Sequence, residues 1–130
     1  MITQKHNPAN TPEPSPINSD DTQPALWDLV IADFEFGFLG CQDYKDGILE
    51  LMRNRHRFGI KKYGVPLKVK NGRNFLNDSI QENLDILPYL KGILCEEKRS
   101  YQRWLIEEAY RSAQESIILL YEYFCLEEKK

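Results

Sequence analysis

Asp78, Glu82 and Asp85 are the residues of this chain whose types and spacing point most directly to chemistry. On a helix advancing about 100° per residue they fall within about 60° of one another, with Glu82 and Asp85 one turn apart. Carboxylate oxygens at that spacing suit a hard divalent cation such as Mg²⁺ or Mn²⁺. Phe75, Ile86, Tyr89 and Ile93 border the acids. Carboxylates hemmed by apolar neighbours are costly unless a cation compensates them. The plain alternative for a lone Glu-x-x-Asp is a solvated or subunit-facing acidic stripe. Directly upstream, Arg53, Arg55, Arg57, Lys61, Lys62, Lys68, Lys70 and Arg73 occur with no acid between positions 53 and 73. Metal-bound di- and triphosphates need such cations, because the metal neutralises only part of their charge. Lys62, closing one helix, and Arg73, just before Asp78, are the best placed. Arg53, Arg57, Lys68 and Lys70 read as solubility residues, and His56 as a packing or capping residue.

The elements that must position these groups are helical. "ALWDLVIADFEFGFLG" reads as a short apolar helix or arm. A longer helix is expected from about Tyr44 to Lys62, with Ile48, Leu51 and Met52 inward and Gly59 a weak point near its end. "YGVPLKVKNGRN" contains Gly64, Pro66 and the Asn71-Gly72 pair, and so reads as a loop or a short hairpin. Helices follow over about 74–94 and 97–126. In the first of these, Leu76, Ile80, Leu84, Leu87, Leu90 and Leu94 form a core stripe opposite the acids. No convincing strand is present, so the expected fold is all-α, a small bundle. Residues 1–24 carry Pro8, Pro12, Pro14, Pro16 and Pro24 among polar side chains and read as a flexible tail, leaving 25–130 as a single helical domain.

Further acids are candidates to complete a metal shell. "SIQENLDIL" (79–87) echoes "SAQESIILL" (112–120), and the register pairs Glu115 with Glu82. Glu115 is therefore a candidate ligand or water-activating base, whereas Glu108 and Glu122 on its face read as solvated. Asp46 and Glu50 lie on the middle helix. Asp46 is better explained as a helix N-terminal acid favourable to the dipole, and Glu50 stays a candidate ligand.

Composition narrows the class. At 42% hydrophobic and 28% charged residues the chain has the balance of an ordinary globular protein. No run approaches the ~18 apolar residues of a membrane span, and the first residues contain no apolar signal-peptide core. Cys41, Cys95 and Cys125 show neither disulfide nor zinc spacing, which points to free thiols in a reducing cytoplasm. The formal charge of −3 argues against nucleic acid as the partner.

"RHRFGIKKYGVPLKVKNGRNFLNDSIQENLDILPYLKGIL" (55–94) resembles small MazG-like proteins, common in phages, of the all-α nucleoside triphosphate pyrophosphohydrolase superfamily. Arg55, Gly59, Lys62, Tyr63 and Gly64, then Asn71-Gly72-Arg73, then the helix of Asp78, Glu82 and Asp85 carry the likeness. The resemblance implies an all-α bundle, a homodimer or homotetramer, that converts a (d)NTP to the monophosphate and pyrophosphate with Mg²⁺ or Mn²⁺. It implies Glu82 and Asp85 as metal ligands, with Asp78 contributing and Glu50 or Glu115 completing the shell. Lys62 joins Glu82 and Asp85 in the catalytic set. Lys62, Arg73 and Arg55 are expected at the substrate's phosphates, with Tyr63 and Asn71 at base or sugar. The family's earlier Glu-x-x-Glu is missing here: Glu50 stands alone, and Arg53 occupies the place of a second glutamate. Two rival readings are a non-catalytic helical interaction protein and a nucleic-acid-binding module using Arg53 to Arg73.

Overall fold

Four α-helices build the described chain, residues 8–10, 12 and 22–129 of a computed structural model, and no strand occurs among them. The proline-rich tail expected over 1–24 lies outside the described residues except at 8–10, 12 and 22–24. The helices pair by sequence neighbourhood into two compact units, α1 with α2 and α3 with α4, divided between Arg73 and Asn74.

In the first unit, α1 (Leu26–Gly37) has Asp28 in its first turn, where a carboxylate favours the helix dipole. Helix α2 (Gln42–Tyr63) faces inward through Leu49, 5% exposed, flanked by half-buried Ile48 and Met52. Leu51, expected inward, is 64% exposed. At 100° per residue the positions 45, 48, 49, 52 and 56 set the inner stripe, and 51 falls about a quarter-turn away. Gly59 does not interrupt the helix. It ends at Gly64, whose φ of 78° is the left-handed cap that a residue without Cβ adopts freely, and whose N–H donates to the Ile60 carbonyl at 2.7 Å. Lys61 and Lys62 occupy the last turn, the favourable end for cations.

The segment after Gly64 is a loop rather than a hairpin. The Leu26 N–H donates to the Leu67 carbonyl at 2.7 Å, which ties the loop to the start of α1. Lys70 (φ 55°) and Gly72 (φ 84°) are both left-handed and reverse the chain around Asn71. The Asn71 side-chain oxygen accepts from the Arg73 N–H at 3.0 Å, an Asx-type turn that fixes the approach to Arg73.

In the second unit, Asn74 caps α3 (Phe75–Glu96) by accepting from the Asn77 N–H at 3.1 Å. Such a cap satisfies one of the donors that a helix start leaves orphaned. A three-residue connector, 97–99, leads into α4 (Ser100–Glu128), and so short a link makes the two helices antiparallel neighbours. Arg103 reaches back to donate to the carbonyls of Leu94 and Glu97, satisfying the end of α3. Ile80, Leu94 and Phe124 are the buried apolar side chains of this unit, at 4%, 6% and 2% exposure. The expected stripe from Leu76 to Leu94 is buried or half-buried throughout. Pro88 stands inside α3. Lacking an N–H, it cannot donate to the carbonyl of Leu84, between Glu82 and Asp85.

Candidate functional site

The basic end of the first unit gathers three of the residues expected at the substrate. Hydrogen bonds to the Tyr63 phenol, first from Lys62 and then from Arg73, hold its hydroxyl below the ordinary tyrosine range. The Lys62 ammonium lies 5.1 Å from the centre of the Tyr63 ring. Two cations therefore converge on one oxygen at the surface, an arrangement that a phosphate oxygen could share. Arg55, two turns further back on α2, lies over the Phe58 ring at 4.7 Å.

Asn71, expected to touch base or sugar, is fully buried. Its oxygen is committed to the Arg73 N–H, and its Nδ2 has no hydrogen-bond partner. The side chain shapes the turn that presents Arg73 instead of facing solvent.

On α3, Glu82 and Asp85 are exposed and Asp78 is half-buried. Glu82, Asn83, Asp85, Ile86 and Tyr89 line a shallow depression of about 370 Å³ on this helix. The apolar border foreseen around the acids is itself largely in solvent, with Tyr89 74% and Ile86 42% exposed. Glu82 and Asp85 thus stand open to water in the chain as it is. The Asn83 amide donates to the Ser79 carbonyl at 2.8 Å, which leaves Glu82 and Asp85 as the charged groups of the depression.

The two proposed completing ligands do not join them. Glu50 pairs with Arg57 at 3.1 Å on the exposed face of α2. Arg57 also donates to Asn54. Glu115 is exposed on α4. Among the described residues, no group of three or more His, Cys, Asp or Glu side chains comes together to hold a metal ion. Glu82 and Asp85 do fit a cation bound the way Mg²⁺ commonly is, through one or two carboxylates with water and substrate phosphates supplying the rest.

Two features escaped the reading of residue types. Gln81, beside Glu82, donates from its side-chain amide to the Pro8 carbonyl at 2.8 Å, which brings the N-terminal Pro8–Asn10 turn onto α3. Phe58 is 52% exposed beneath Arg55. The i, i+3 spacing of Arg55 and Phe58 was the available signal for the second; nothing local announces the first. A larger depression of about 580 Å³ is lined by Val30, Phe34, Phe38, Leu39 and Met52, with Asp33 its one charged group among the described residues.

Comparison with family models, with characterised proteins and with solved structures finds no match for this chain.

Proposed function

We propose that the chain is a metal-dependent nucleotide pyrophosphohydrolase of the MazG-like all-α type, converting a (d)NTP to (d)NMP and pyrophosphate. The observation that carries this reading is the pair Glu82 and Asp85 lining one depression on α3. The convergence of Lys62 and Arg73 on Tyr63 supports it by supplying a cationic end for phosphates. Glu82 and Asp85 would hold Mg²⁺ or Mn²⁺. When bound, the cation would supply charge neutralisation at the phosphates and a more acidic water. Lys62 and Arg73 would hold the phosphoryl oxygens and stabilise charge developing on the leaving pyrophosphate. The Asn71 turn would hold Arg73 in place for that role.

Glu82→Gln removes one anionic oxygen while keeping shape, and it lies on an exposed surface. It should abolish pyrophosphate release while leaving the helical circular dichroism and melting temperature unchanged. A pyrophosphate-release panel over the eight common (d)NTPs with Mg²⁺ and Mn²⁺ tests the activity itself, and no turnover on any of them sinks the reading.

A second reading, a non-catalytic helical interaction protein, is favoured by the separation of the completing acids, with Glu50 held by Arg57 and Glu115 exposed on α4. Thermal melts with added metal separate the two. Saturation at about 100 times the Kd adds about 2.7 kcal/mol, a shift that the interaction protein would not show.

A homodimer or homotetramer belongs to the same reading. Tyr101, Trp104, Leu119 and Leu126 are 66%, 51%, 66% and 56% exposed on α4, more apolar surface than one helical pair covers. No helix among the described residues is long and apolar enough to cross a membrane. Cys41, Cys95 and Cys125 are free thiols, in keeping with a reducing cytoplasm.

A further inference from the structure

We propose that Phe58 is the stacking platform for the base of a bound mononucleotide, with its phosphates on Lys62, Tyr63 and Arg73. The ligand class rests on the nucleotide reading above; the platform itself rests on α2. Arg55, Phe58 and Lys62 stand at i, i+3 and i+7, within about 60° on one helical face. Along that face the chain presents cation, aromatic ring and cation, with Tyr63 following. Phe58 and Lys62 are separated by about 6 Å of helix rise, so a nucleotide lying along α2 can place base and phosphate on one and then the other.

Phe58 is still 52% exposed with the Arg55 guanidinium 4.7 Å over its ring. An aromatic ring already stacked with an arginine, and open to solvent, is the surface on which a nucleobase stacks without needing edge hydrogen bonds. A second copy of the chain is a poorer occupant. In a two-fold contact this face would meet itself and bring Arg55 and Lys62 against their own copies, with no acid between 53 and 73 to offset them. A planar anion meets both the ring and the charge.

The platform predicts discrimination by stacking. In EDTA, where turnover is prevented, the full chain should bind ATP and dTTP about tenfold more tightly than inorganic tripolyphosphate. Phe58→Ala and Phe58→Leu should bring both nucleotides down to the tripolyphosphate level while leaving tripolyphosphate binding unchanged. Phe58→Trp should keep the nucleotide advantage, and Lys62→Ala should weaken all three ligands. The proposal is overturned if the wild type binds tripolyphosphate as well as nucleotides, or if Phe58→Ala weakens all ligands equally or none. It is also overturned if a short oligothymidylate binds far more tightly than dTTP with steep salt dependence, which would make the face a strand-binding surface. Because the titrations exclude turnover, intact Phe58-dependent binding without pyrophosphate release would refute the hydrolase alone. Pyrophosphate release with no effect of Phe58 would refute the platform alone.

Discussion

The α1–α2 unit and the α3–α4 unit solve the same problem, pairing two helices, with cations gathered toward the end of α2 and acids in the first half of α3. In the first, α2 runs into a glycine cap and a turn with two left-handed residues, and its cations are concentrated in the last turn and the loop. In the second, α3 begins from an asparagine cap and carries its acids in the first three turns. Lys61 and Lys62 in the last turn of α2, and Asp78 in the first turn of α3, sit at the helix ends where the dipole favours them. A helix that stops and a helix that starts, separated by one loop, are enough to set a positive group and a negative group next to each other in sequence. The dipole acts within one turn, so it accounts for Lys61, Lys62 and Asp78 but not for Arg53, Arg55 and Arg57 or for Glu82 and Asp85. Two cations converge on Tyr63 in one unit, and two carboxylates line one depression in the other.

The contrast can be broken hardest at the core of the acidic unit. Phe124 is 2% exposed and anchors α4 on α3, so Phe124→Ala should cost about 3–5 kcal/mol, read by urea denaturation. The next test compares the two helix ends directly. Gly64→Ala places a Cβ at φ 78° and Asn74→Ala removes the side chain that accepts from Asn77; each should cost about 1 kcal/mol. If the units unfold as separate cooperative blocks, hydrogen exchange should speed up in α2 for the first variant and in α3 for the second. Uniform acceleration would mean that the two units melt together.

The smallest effect is a pH dependence confined to the α3–α4 connector. Hydrogen bonds from Arg99, side chain and then backbone, pull the Glu97 carboxyl down to about 2 from an ordinary 4.5. The folded value lies below the unfolded one, so the contribution is fully present above about 4.5. It is lost as pH falls from there through about 2. An NMR titration of Glu97 should give its midpoint near 2, and Arg99→Ala should return it toward 4.5.

Helix existence, order and approximate bounds were legible because each follows from local rules. Apolar residues recurring at Ile80, Leu84, Leu87 and Leu94 mark an inner face, Gly64 stops a helix, and Asn74 starts one. The Lys62–Tyr63–Arg73 cluster was legible as a set of types but not as an arrangement. Its geometry depends on Lys70, Asn71 and Gly72 turning the loop so that Arg73 returns to the end of α2. Asn71 shows the limit clearly. Its residue type fits a ligand contact equally well, and only burial reveals that its oxygen serves the backbone of Arg73.

Periodicity, caps and charge spacing act over a few residues, so the helical class, the charge segregation and the Glu-x-x-Asp face can be read directly along the chain. Which side chains are committed and which are available depends on the packing of one element against another. Gln81 is tied to the Pro8 carbonyl, 73 positions away in the chain, while Leu51 and Phe58 are left in solvent. The physical reason is that a partner reached across the fold, or by a long flexible side chain, leaves no periodic trace in the chain that carries it.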